Sequence, residues 1–162
     1  MKGKILIPTD FKIESLMLLR YAASGDQYTN LDVIFLHCTH LSDSITDLMF
    51  YSPSKIIQQA VTPEFSEACS ILRNKFPEKI KSMQVKLFHS HTQAAFDMFL
   101  EANDVHEAIV PASYKLQMAK NCFDPIPFIM RAGINVKQVN WGGRKEYAED
   151  NSVAALFLDW SF

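Results

Sequence analysis

The chain alternates short unbroken apolar runs with longer stretches in which apolar positions recur every three or four residues. Lys4-Ile5-Leu6-Ile7, closed by Pro8, is too short for a helix, and its continuous apolarity predicts a strand buried on both faces. From Ile13 to Ala23, Leu16, Leu18, Leu19 and Ala22 supply apolar positions at helical spacing, with Gly25 as a stop. Asp32-Val33-Ile34-Phe35-Leu36-His37 predicts a second strand, rich in β-branched and aromatic residues. Thr62-Pro63 puts an N-cap before a proline at the first helical position, and Phe65, Ala68, Cys69, Leu72 and Phe76 continue at helical spacing. Val85 to His89 predicts a third strand, and Thr92 caps a helix through Ala95, Phe96, Phe99 and Leu100. Ala108-Ile109-Val110 predicts a fourth strand ended by Pro111. A helix from Pro127 to Arg131 stops at Gly133, and Ile134 to Val139 predicts the fifth strand.

The segment from Thr39 to Val61 breaks this rhythm. It carries Ser, Asp and Thr clusters, Pro53 and exposed-looking Met49, Phe50 and Tyr51, with room for one short helix over Lys55 to Ala60. So long an excursion covers a site or a partner surface, although its Met and Phe residues also suit plain core cover. Five strands alternating with helices predict a doubly wound parallel sheet, a three-layer α/β/α arrangement with helices on both faces. Ligands of such sheets bind beyond the carboxyl ends of the strands, so the residues just after each strand are the candidates.

Totals narrow the function classes. A chain of 162 residues makes one domain of ordinary size. Lys plus Arg number 16 against 18 for Asp plus Glu, a net charge of -2, so no global basic field is available for nucleic acid. The apolar start at Ile5 to Ile7 is too short for a signal core or a membrane span, which leads to the expectation of a cytoplasmic protein without a membrane partner. Cys38, Cys69 and Cys122 are far apart and outside any Cys-x-x-Cys pattern, as expected of reduced thiols rather than a disulfide.

The run Ile5-Leu6-Ile7-Pro8-Thr9-Asp10-Phe11, the helix carrying Leu19-Arg20-Tyr21-Ala22, and Leu36-His37 at the end of strand two together resemble the opening of universal stress proteins. The resemblance covers roughly residues 3–139. It implies a Rossmann-like fold of the adenine nucleotide alpha hydrolase type with strand order 3-2-1-4-5 over residues 1–140, followed by a C-terminal extension over residues 141–162. ATP-binding members carry Gly-x2-Gly-x9-Gly followed by Ser or Thr after strand four. Laid on this chain without a gap, that frame falls on Pro111, Tyr114, Asp124 and Pro125. Glycines let the backbone approach phosphates and aim N–H groups at them. Here two prolines lack the N–H, Tyr114 is bulky, and Asp124 adds negative charge, so triphosphate binding in the family manner is not expected. Thr9 and Asp10 fall where members contact the nucleoside, but with the other half of the nucleotide site missing the plainer reading of Asp10 is a cap on the following helix. His37 matches a histidine often found at that point in the family.

Other constellations stay open at this level. Strand order 3-2-1-4-5 brings His37 and His40 beside His89 and His91, and four imidazoles could ligate a transition metal, although the spacing is no zinc motif and solvated or capping histidines are the plainer reading. Cys38 beside His37, His40 or His89 could be drawn as a nucleophile and base, yet adjacent strand residues point to opposite faces. Asp124 to Phe128 reads as an interaction loop or, more simply, as a helix start. The apolar run Val153 to Phe162 must bury itself on this chain or on a second copy. The expectation is a non-catalytic binding or regulatory homodimer of universal-stress type that needs no cofactor. Its rivals are a small-molecule or metal-dependent enzyme using the histidines and a weak nucleoside binder acting through Asp10. An unidentified small-molecule ligand fits either class.

Overall fold

The computed structural model describes residues 2–41 and 44–140. Five parallel strands form one sheet in the order β3-β2-β1-β4-β5: β1 Lys2–Pro8, β2 Thr29–Cys38, β3 Ile80–Phe88, β4 Glu107–Pro111 and β5 Asn135–Val139. After β1, a 3-10 turn at Ile13–Leu16 leads into α1, Met17–Ser24. Three helices separate β2 from β3: α2 Ile45–Met49, α3 Pro53–Ala60 and α4 Pro63–Lys75. α5, Gln93–Ala102, and α6, Ile126–Arg131, precede β4 and β5.

Side-chain alternation along the central strands divides the core. Ile5, Ile7, Val33 and Phe35 face α1 and α4, meeting Leu19, Ala22, Phe65 and Leu72. Leu6, Ile34, Leu36 and Cys38 face the other way, meeting Phe96 and Leu100 of α5 and Ile129 of α6. The result is the expected three-layer α/β/α sandwich, and the central strands read as continuous apolar runs because both of their faces are covered. Helix starts follow the capping rule: Ser44, Ser52, Thr62 and Thr92 accept from the backbone N–H three residues on, at the heads of α2, α3, α4 and α5.

Three elements differ from the sequence expectation; the helix expected from Ile13 to Ala23 starts as a 3-10 turn and becomes α-helical only at Met17. β3 begins at Ile80 rather than Val85, because it is an edge strand whose early residues Lys81, Ser82 and Gln84 are polar, and Ser82 Oγ donates to Asp32 Oδ1 at 2.6 Å. The excursion after β2 holds two helices where one was expected. α2 is five residues long, so although Ile45, Leu48 and Met49 hold helical spacing the pattern is too short to mark a helix, and none of its side chains is buried. The expected C-terminal extension and its apolar run Val153 to Phe162 lie outside the described residues.

Candidate functional site

The turn after β1 is built by short-range polar contacts. Thr9 is fully buried; its N–H donates to the Leu36 carbonyl at 3.1 Å and its Oγ1 accepts from the Phe11 N–H at 3.0 Å. Phe11 then adopts a left-handed φ of 59°, rare for an aromatic residue, and its ring packs edge-on against His37 and Phe65. Asp10 Oδ1 accepts from the Lys12 N–H at 3.0 Å, an Asx-type turn that precedes the 3-10 turn rather than capping it, since Lys12 is the N-cap and receives no side-chain cap. Its Oδ2 accepts from the Tyr114 hydroxyl at 2.5 Å and the Gln117 N–H at 2.8 Å. The carboxylate is therefore engaged on both oxygens by the chain itself. Burial, reinforced by the Asp10 carboxylate, pushes the Tyr114 phenol well up, which keeps it protonated and donating.

The loop that begins after β4 crosses the carboxyl ends of the sheet. It starts with the Ala112 N–H on the Val139 carbonyl at 2.7 Å, passes Asp10 through Tyr114 and Gln117, and ends against β2. There Cys122 forms an antiparallel bridge with Thr39, the His40 N–H donates to Asn121, and the Phe123 N–H donates to Cys38. Of the phosphate-frame positions, Pro111 is the buried last residue of β4, Tyr114 covers Asp10, and Asp124 Oδ1 accepts from the Ile126 N–H at 2.9 Å at the start of α6.

The four histidines reach the same end of the sheet but divide among separate partners. His40 and His91 stack with ring centroids 4.9 Å apart, both against Phe123. Stacked rings send their in-plane lone pairs in parallel rather than toward one ion. His89 Nδ1 donates to the Thr39 carbonyl at 3.1 Å, which leaves Nε2 to accept from the Tyr51 hydroxyl. Among the described residues, no group of three or more His, Cys, Asp or Glu side chains is placed to hold a metal.

His37 is buried on the α1 and α4 face, with its Nε2 3.7 Å from Cys122 Sγ. Its sulfur neighbour is thus Cys122, not Cys38, which lies on the opposite face of β2 and whose thiol burial pushes far up. Burial, with His89 nearby, lowers His37 to about 4, and burial raises the Cys122 thiol. Both shifts favour the neutral pair, a thiol donating to an imidazole, over the thiolate and imidazolium that a nucleophilic dyad needs. The ring proton then sits on Nδ1, which is buried and has no hydrogen-bond partner among the described residues.

His37 and Cys122 form the floor of a cleft of about 560 Å³ between the end of β2 and the segment carrying α2 and α3. Leu48, Phe50 and Ile56 give it an apolar wall, and Lys55 and Lys120 also line it. Thr9, Asp10, Pro111, Tyr114 and Asp124 do not. Sequence reasoning missed Cys122, Gln117 and Tyr51 as site residues. No spacing signal could have found the first two, because the loop path that sets their contacts is a tertiary feature.

No protein-family model matches the chain, and no curated protein matches it. Solved structures do. A hypothetical protein known from its crystal structure is similar with a TM-score of 0.52 at 17% identity, over 86% of this chain and 96% of that one. The universal stress protein UspA from Lactobacillus plantarum gives 0.51 at 10% identity, over 85% and 97%. A universal stress protein family protein from Arabidopsis thaliana, solved with AMP bound, gives 0.50 at 9% identity, over 88% and 94%. At such identities the likeness is one of architecture, and it agrees with the strand order 3-2-1-4-5: this chain has the fold of the universal stress proteins.

Proposed function

We propose that this chain is a universal-stress-type binding or regulatory protein that works without catalysis, does not hold ATP in the manner of nucleotide-binding members, and acts as a homodimer in a stress response. The observation that carries this reading is the Asp10 carboxylate, which takes its hydrogen bonds from Lys12, Tyr114 and Gln117 of the same chain. A ribose hydroxyl would have to displace Tyr114, and the phosphates would then meet a loop without glycine, closed by Pro125 and Asp124. The neutral thiol and imidazole of Cys122 and His37 support the non-catalytic part. A cytoplasmic location and the homodimer belong to the same reading. A ligand selective for the native state raises the melting temperature by mass action. Millimolar Mg-ATP is therefore expected to leave the melting temperature unchanged; a saturable upward shift that vanishes in Asp10→Ala would overturn the reading.

A further inference from the structure

We propose that the cleft floored by His37 and Cys122 is a binding site for a small organic monoanion with an apolar body, such as a medium-chain carboxylic acid. The proposal rests on the reading that the Asp10 site is closed by its own chain, and it places the ligand beside β2 instead.

Size is the first argument. A volume of about 560 Å³ lies within the range of small-molecule sites, which runs from roughly 300 to 1,000 Å³. The wall is the second. Leu48 is 44% exposed and Phe50 75% exposed, although both line a concavity. Apolar side chains gathered at a cleft and left uncovered mark a surface that gains by excluding water.

Charge gives the third argument. Lys55 from α3 and Lys120 from the loop after β4 both line the cleft, and among the described residues neither side-chain ammonium has an ion-pair or hydrogen-bond partner. Among the described residues, Asp47 is the one carboxylate in the lining, and His37 is neutral at physiological pH. The balance of two lysines against one aspartate suits a single negative charge. A polyphosphate would call for convergent backbone N–H donors, which a lining of side chains on α3 and an Asn121-Cys122 turn does not supply in number.

The floor of the cleft is formed by a buried imidazole and a thiol in contact. His37 is 5% exposed, lines the cleft, and keeps a buried Nδ1 with no hydrogen-bond partner among the described residues, a situation that native interiors rarely leave uncompensated. Asn121, beside Cys122, holds a left-handed φ of 69°, so the backbone that presents the thiol is fixed in an uncommon conformation.

Calorimetric titration of the full chain with octanoate and with octanol separates the apolar and anionic contributions. Octanoate is expected to bind saturably, one per chain, with octanol at least tenfold weaker. Lys55→Gln with Lys120→Gln, both exposed substitutions, should bring octanoate down to the octanol level while the melting curve stays put. Cys122→Trp should fill the floor and abolish binding of both. No saturable octanoate binding, equal affinity for octanol, or indifference to the lysine pair overturns the proposal. So does octanoate binding that appears only after truncation behind Gly143, which would mean that the chain's own C-terminal part fills the cleft. Mg-ATP titrated into the same samples keeps the two readings apart. Inert ATP with failed octanoate sinks only the cleft, whereas saturable ATP binding lost in Asp10→Ala sinks the closed-site reading.

Discussion

At the scale of single residues, Asp10 and His37 carry the account in opposite ways. Removing the hydroxyl in Tyr114→Phe leaves Asp10 Oδ2 with only the Gln117 N–H. A buried acceptor deprived of one partner costs about 1–3 kcal/mol. Differential scanning fluorimetry should show that loss as about 2–4 °C per kcal/mol for a chain of this size, with ATP still inert. His37 governs a pH effect. Its folded value of about 4 lies below the unfolded 6.5, so the unfolded state binds the proton first. Stability from this group is full above pH 6.5 and is lost as pH falls toward 4, on the order of 3 kcal/mol in total. Urea midpoints at pH 7 and pH 4.5 should differ clearly in the wild type and much less in His37→Phe; an equal drop in both would assign the acid sensitivity elsewhere. From the sequence, a local turn contact of Asp10 was legible, because Lys12 is two residues away. Its closure by Tyr114 depends on a contact spanning 104 residues and was not.

Elements show where hydrophobic patterning speaks and where it is silent. β1 and β2 were legible because both faces are buried, whereas β3 lost its first half to the polar residues of an exposed edge. α2 was not read because its five residues are too few for a period to stand out, although Ser44 caps it and Ile45, Leu48 and Met49 hold helical spacing. Phe65 and Phe50 give this contrast an energetic test. Phe65 is 2% exposed at the junction of α4 with Phe11 and Phe35, while Phe50 is 75% exposed just after α2. Phe65→Ala is expected to cost about 3–5 kcal/mol by emptying the core, and Phe50→Ala to stay within about 0.5 kcal/mol. Chemical denaturation measures both. A large loss at Phe50 would mean that something in the full chain covers it.

For the whole molecule, architecture was legible and the site was not, because strand order follows from alternating elements while the site depends on one loop. That loop leaves β4, crosses the end of β1 and joins β2 through Thr39 and Cys122. Assembly belongs to this scale too. β5 is an edge strand with Val136 and Val139 among polar neighbours, a surface that a second copy could extend. Light scattering at micromolar concentration should report about twice the chain mass, since closed symmetric pairs are the commonest oligomers. Truncation after Gly143 should weaken the dimer or the fold; a truncated chain with unchanged mass and melting point would show that the C-terminal run does neither. The central claim, that the nucleotide site is occupied by the chain's own side chains, is tested most directly by calorimetric titration of the full chain with Mg-ATP. The account predicts no heat beyond dilution in the wild type, and a saturable isotherm at one ATP per chain would contradict it.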